Sequence, residues 1–240
     1  MNMLFKLSSH LSGWVVSMVF VIFSANVVLA AEQFFVEPGD PVKGKEASGL
    51  CHGCHGENGM SESDEFPRLA GQHAAYIRKQ FSEFNKSIRF NTDTMMGVSQ
   101  DSLTSKQDLY DAAAYFASQK VMTGEKLNKD VSKGRNIFFN GNSATGLYGC
   151  VNCHGENGKG RSPGNEVFPI IGGQHKAYLV KQLKEFRNAA LSPTDPDIVF
   201  KEAGSAIEMR KNDPAGVMRD IAKRLSDEEL DAVTDYLSQL

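Results

Sequence analysis

The 240-residue sequence predicts an all-α protein built as two tandem helical domains related by internal duplication. Three observations carry that prediction. A Cys-x-x-Cys-His motif occurs twice, as Cys51-His52-Gly53-Cys54-His55 and Cys150-Val151-Asn152-Cys153-His154, and uses all 4 cysteines of the chain. Each copy continues as Gly-Glu-Asn-Gly, and residues 66–84 then return as 168–186 with 11 of 19 positions identical. No stretch alternates apolar and polar residues as a half-exposed strand would, whereas apolar residues at helical spacing recur.

Taken in order, residues 1–30 read as a secretory signal peptide. Lys6 supplies the positive start, positions 14–29 are an almost uncharged apolar run, and Val28-Leu29-Ala30 places small residues before Ala31. That run is short for a bilayer span, which needs about 20 residues. The mature chain is expected to comprise a first domain at 31–122, a linker at 123–130 and a second domain at 131–240. Asp40-Pro41 reads as an N-cap followed by proline at the first helical position, opening a short helix that runs into the first cysteine motif. Its counterpart falls near 131–140, followed by a glycine-rich loop at 141–149. Residues 74–86 and 176–189 carry apolar positions at helical spacing. Thr104-x-x-Gln107 and Ser226-x-x-Glu229 read as capping boxes for the final helices, which should reach about Ser118 and Gln239. Domains this small are short of core, and a large bound cofactor would complete it.

The motif names the cofactor. Thiols three positions apart can add to the two vinyl groups of one porphyrin while the adjacent histidine binds its iron, which is the attachment pattern of c-type haem. A thioredoxin-like pair needs no trailing histidine and expects a βαβ pattern. A single zinc site would have to join pairs 99 residues apart (51 to 150) and would leave both histidines without a role. Two structural disulfides also fit an oxidising compartment. Covalent haem is favoured: two haem c groups, held by Cys51 and Cys54 and by Cys150 and Cys153, with His55 and His154 as proximal iron ligands. Haem of this type is attached outside the cytoplasm, in keeping with export to a periplasm.

The distal ligand separates a carrier from a catalyst. Met96 and Met218 each lie seven residues before a leucine, Leu103 or Leu225, and the final helix, so they are the expected sixth ligands. Met95 is an alternative to Met96. His73 and His175 also repeat, 18 and 21 residues past the proximal histidines, and would permit bis-histidine ligation; the favoured reading makes them surface or propionate-side hydrogen-bonding groups. Pro67 and Pro169 are expected on the proximal wall, where a proline carbonyl can accept the histidine ring N–H. His52 is read as incidental, and Tyr76, Tyr178, Phe84 and Phe186 as packing residues. The formal net charge is −3, becoming −4 once Lys6 leaves with the signal peptide, and no basic stripe suggests nucleic acid.

These patterns resemble cytochrome c4, a dihaem family of two class I cytochrome c domains. The likeness rests on Cys-x-x-Cys-His-Gly, on Phe-Pro-x-Leu-x-Gly-Gln, and on a pattern met in full only in the second half by Asn212-Asp213, Met218, Ile221-Ala222 and Leu225-Ser226. It extends from about Pro41 to Leu240. The resemblance implies His/Met ligation of both irons, a pseudo-twofold arrangement with the haems near the domain interface, and single-electron transfer from a quinol-oxidising complex or dehydrogenase to a terminal oxidase, with room for peripheral membrane association. Two alternatives remain: a dihaem oxidoreductase of thiosulfate dehydrogenase or peroxidase type, and a tightly bound electron-transfer subunit of a dehydrogenase. One departure stands out. His55 to Met96 is 41 residues but His154 to Met218 is 64, because residues 188–208 form an insertion. Met209, beside it, is a rival to Met218.

Overall fold

Helix α1, Pro41–Ala47, starts where Asp40 Oδ1 accepts from Val42 N at 2.8 Å and Lys43 N at 3.4 Å, with proline at the first helical position. The computed structural model describes residues 38–89, 93–103, 105–126, 128–160, 166, 168–191, 209–213 and 215–240. The expected signal peptide, Asn91, Thr92, Thr104 and most of the 188–208 segment lie outside them. Among the described residues there are ten helices and no strand, only an isolated bridge between Asn142 and Leu147 in the glycine-rich loop.

The expected run from α1 into the cysteine motif is interrupted. Buried Ser48 ends α1, and its hydroxyl bonds Lys45 O at 3.3 Å and His52 Nε2 at 2.9 Å, a local competitor to helical pairing. Helix α2, Gly49–His55, then carries the first motif. Next come α3 (Ala74–Asn85), α4 (Asp93–Asp101) and α5 (Lys106–Ser118). The capping box of α5 sits one residue later than expected. Ser105 Oγ accepts from Asp108 N at 3.1 Å and Asp108 Oδ2 accepts from Ser105 N at 2.9 Å, while Gln107 turns to Asp111 at 2.9 Å. The second half repeats the order with α6 (Ser132–Asn140), α7 (Val151–His154), α8 (Lys176–Leu191), α9 (Val217–Ala222) and α10 (Asp227–Leu237). Ser226 and Glu229 cap α10 as expected, although the helix ends at Leu237 rather than near Gln239.

Each half is closed by a crossing of its first and last helices. A Cβ on Gly44 would fall 1.9 Å from Asp111 O in α5, and a Cβ on Gly134 would fall 1.9 Å from Ala232 O in α10. Only glycine lets the backbones approach so closely. The first half packs Phe84, Ala112, Ala113, Tyr115 and Phe116; the second packs Ile137, Phe138, Leu179, Leu230, Val233 and Leu237. Ala70 and Met122, both fully buried, meet Ile170 in a small apolar seam between the halves. Residues Pro38–Leu240 therefore form one unit. No described helix is long and apolar enough to cross a membrane.

Candidate haem sites and the interface between them

Helix α2 carries both cysteines of the first motif on one face, and α7 carries Cys153 with Cys150 as its N-cap in helical conformation, so the second pair is set in the same way. All four thiols are free and half-buried. Burial pushes the Cys51 thiol above its ordinary value and the Cys150 thiol up to about 11, the reverse of a reactive redox pair. Glycine with positive φ follows each motif, Gly56 at 80° and Gly155 at 75°, ending the helix directly after the histidine.

His55 and His154 are buried, at 6 % and 5 % exposure. Their Nδ1 atoms lie 2.8 Å from Pro67 O and Pro169 O respectively. A carbonyl only accepts, so each Nδ1 carries the proton and each Nε2 keeps its lone pair for a metal. Burial lowers both pKa values, against the raising effect of the proline carbonyl, and favours the neutral imidazole a metal requires. Phe66 and Phe168 meet these rings edge to face at 6.4 and 6.2 Å. Paired free thiols, a fixed tautomer and a buried histidine with its Nε2 unprotonated fit a covalently attached haem in both halves.

Of the expected distal ligands and their rivals, Met95 and Met96 are neighbours in α4 and both half-buried; Met218 lies in α9 and Met209 just before Arg210, also half-buried. The first 4 residues of the expected insertion, 188–191, continue α8, so that helix has 16 residues where α3 has 12. His73 and His175 each turn to the other half. His175 Nε2 lies 2.9 Å from Ser61 O, while the Nε2 of His73 is buried without a partner beside Gly160. Neither therefore faces its own half's proximal histidine as bis-histidine ligation would demand.

The two halves exchange hydrogen bonds through the Gly-Gln glutamines of their repeats, Gln72 and Gln174. Gln72 Nε2 donates to Ile170 O at 2.9 Å and its Oε1 accepts from Ile170 N at 3.0 Å. Gln174 does the same to Arg68, donating to the carbonyl at 2.9 Å and accepting from the amide at 2.9 Å. Each glutamine thus pairs with the residue after the other half's proline. The symmetry breaks at the side chain of Arg68, whose guanidinium donates to Thr123 O at 3.0 Å and Gly173 O at 2.8 Å, where the second half has Ile170.

Farther along α3 and α8 a second reciprocal cluster is polar and buried. Arg89 donates to Gln80 Oε1 at 2.6 Å, Gln182 Oε1 at 2.7 Å and Tyr178 OH at 3.2 Å. Arg210 donates to Gln182 Oε1 at 2.7 Å, Gln80 Oε1 at 2.9 Å, Tyr76 OH at 3.1 Å and Asn212 Oδ1 at 2.8 Å. Each guanidinium lies 4.5 Å above a phenylalanine of its own half, Phe84 or Phe186. Burial opposes ionisation of Tyr76, but Arg210 and Arg89 outweigh it and hold its pKa below the ordinary value.

A cytochrome c family model matches residues 131–240. Cytochrome c4 of Thiocapsa roseopersicina is 36% identical over 203 residues, covering 84% of this chain and 93% of its own. The chain belongs to the cytochrome c4 family. Reduced recombinant cytochrome c4 from Pseudomonas stutzeri superposes with a TM-score of 0.69 at 30% identity, covering 84% of this chain and 99% of that one. A thiosulfate dehydrogenase electron acceptor from Stutzerimonas stutzeri is 28% identical over 201 residues, covering 81% of this chain and 80% of its own. As a member of the cytochrome c4 family, the chain is a dihaem cytochrome with covalently bound haem c, and its two Cys-x-x-Cys-His motifs fit that attachment.

For this cytochrome c4 family member, the sequence drew attention to the thiols, the histidines and the prolines that orient them. Both tyrosines read as packing residues turn out to place hydroxyl groups in the interface. Arg89 and Arg210 were missed altogether. They are equivalent, since Arg89 N donates to Glu83 O and Arg210 N to Glu185 O, both at 3.0 Å. The insertion hides that equivalence by giving them different offsets from the repeat.

Proposed function

We propose that this chain is an exported electron shuttle that carries single electrons between redox proteins. The repeated proximal arrangement carries the reading: both buried imidazoles have the same proline-carbonyl lock, which suits two like one-electron sites. In this proposal Cys51 and Cys54 hold the first haem and Cys150 and Cys153 the second, with His55 and Met96, and His154 and Met218, as axial pairs. Bound haem c supplies an iron that accepts and returns one electron. The proline carbonyls strengthen the imidazoles as donors. Thioethers from Met96 and Met218 would serve as the sixth ligands of the two irons, which favours a carrier over an enzyme. Register supports the choice, because Arg89 precedes Met96 by seven residues and Arg210 precedes Met218 by eight.

The proposal extends to export by the leader at 1–30, a periplasmic mature chain of domains 31–122 and 131–240 joined by 123–130, a quinol-oxidising complex or dehydrogenase as donor and a terminal oxidase as acceptor. Relatives named as thiosulfate dehydrogenase electron acceptors support a second reading, an electron-transfer subunit tightly bound to a dehydrogenase. Co-purification at moderate salt separates the two, since a free shuttle comes away alone. The primary test is a redox titration of the purified protein followed by visible spectroscopy, with carbon monoxide added to the reduced form. Two haems at positive potential, the ferric band of thioether ligation and no carbon monoxide binding are expected. Carbon monoxide binding, or an unchanged ferric band in Met218→Ala, would overturn the assignment of closed His/Met sites.

A further inference from the structure

One peptide group in each half is held from both sides. Pro169 O lies 2.8 Å from His154 Nδ1, and the N–H of the same peptide bond, that of Ile170, donates to Gln72 Oε1 of the other half at 3.0 Å. The first half repeats the arrangement. Pro67 O lies 2.8 Å from His55 Nδ1, and Arg68 N donates to Gln174 Oε1 at 2.9 Å. Imidazole, peptide and glutamine thus form one hydrogen-bonded series that crosses from one domain to the other. Both glutamines are 4 % exposed, and their Nε2 atoms donate to Ile170 O and Arg68 O, each at 2.9 Å. Each Oε1 also accepts from the amide of the residue that follows it, His73 or His175, at 3.0 Å. A backbone N–H only donates and a backbone carbonyl only accepts, so the surroundings dictate which end of each side-chain amide is oxygen.

Hydrogen bonds through one amide reinforce each other. An acceptor at the N–H shifts electron density to the carbonyl oxygen and makes it the better acceptor. A better acceptor at Nδ1–H raises the basicity of the imidazole and makes its Nε2 the stronger donor to a metal. Stronger donation favours the ferric state and lowers the potential. Resting on the assignment of His55 and His154 as proximal ligands, we propose that Gln72 and Gln174 tune the haems across the interface: Gln72 of the first domain lowers the potential of the haem on His154, and Gln174 of the second lowers that of the haem on His55. Both are positioning residues. Each acts through the peptide group of the other domain and touches neither histidine nor iron.

The test uses the intact dihaem protein and the single variants Gln72→Leu and Gln174→Leu, which remove the side-chain amide, with haem content checked first. Midpoint potentials are assigned to their domains through the methyl resonances of the ferric haems. In Gln72→Leu the potential of the haem on His154 is expected to rise more than that of the haem on His55, and in Gln174→Leu the order should reverse. In the reduced protein the Nδ1–H resonance of the histidine across the interface should move upfield further than that of its counterpart, as a weakened hydrogen bond requires. A larger shift in the substituted domain's own haem, equal shifts in both, or lower thermal stability with potentials and ring resonances unmoved would overturn the proposal. Gln72→Glu retains an acceptor oxygen for Ile170 N and is expected to hold the potential of the haem on His154 at or below wild type. A rise there counts against the proposal, and it remains readable if the leucine variants do not accumulate. Wild-type reduced protein lacking histidine ring resonances shifted by the haem ring current would instead overturn the underlying ligand assignment, a failure distinct from that of the glutamines.

Discussion

In the first domain Glu83 and Arg89 are 6 residues apart, and in the second Glu185 and Arg210 are 25 apart, yet the same backbone hydrogen bond of 3.0 Å joins each pair. The proximal sides agree more closely still, with a 2.8 Å histidine–proline contact in both domains. The unequal spacing therefore arises in the stretch between the interface helix and the returning arginine. It teaches which parts the architecture fixes: the histidine, its proline, the glutamine and the arginine face the cofactor or the other domain, while the intervening chain can lengthen because neither contact runs through it. Local supports diverge in kind as well. Asn85 ties α3 to Ser99 O at 2.8 Å without charge, whereas its counterpart Arg187 reaches Asp227 at 2.5 Å and Leu225 O at 3.0 Å.

The sharpest way to break the comparison is at the helix crossings. Gly44→Ala and Gly134→Ala each drive a Cβ into a carbonyl oxygen, with Tyr115 or Tyr236 behind it, and should cost about 3 kcal/mol apiece. Thermal unfolding of the two haem-loaded variants should give matching losses, and a clear mismatch would mean that one crossing can open where the other cannot. A smaller and unequal effect is expected at the glutamines. Gln72→Ala strands a buried amide and carbonyl on Ile170 and should cost about 2 kcal/mol, while Gln174→Ala strands the partly buried backbone of Arg68 and should cost about 1 kcal/mol. Urea unfolding checks the ranking, which fails if the two losses are equal.

The smallest effect is specific to the second domain. Arg187 beside Asp227 holds that carboxyl below its ordinary 3.8. A carboxylate depressed in the folded state contributes stability above its unfolded pKa and loses it as pH falls through the folded value. Wild type should therefore exceed Asp227→Asn in stability near neutrality, and the two acid-unfolding curves, followed by circular dichroism, should converge below pH 3.8. A gap that persists at low pH would assign the loss to something other than this ion pair. High salt should narrow it near neutrality, because Asp227 is exposed.

Most of the helical order was legible because its signals are local. Asp40-Pro41, the Ser226 and Glu229 box and the apolar spacing of 74–86 and 176–189 each act within a turn or two. The misreadings were also local but competitive. Ser48 broke a run that the cap predicted, and Ser105 displaced Thr104 because Asp108 reaches back where Gln107 prefers Asp111. The histidine and proline pairing was readable from repetition, since the same residues recur at nearly the same interval. What the sequence concealed was tertiary. Nothing in the order of residues says that Gln72 will seek the backbone of Ile170, or that two arginines separated by 121 positions (89 to 210) share the oxygens of the same two amides.

The exchange of glutamines has a consequence for ancestry. Each domain gives the other the same group and receives the same group in return, which is the rule of an isologous contact between identical subunits. A free single-haem copy bearing Phe-Pro, Gly-Gln and the later arginine would present a surface complementary to itself. Joining two such copies in one chain turns a concentration-dependent encounter into an intramolecular one. Once joined, the two copies no longer had to be alike, and Arg68 against Ile170 and Ser61 against Gly160 record how far they have since drifted apart.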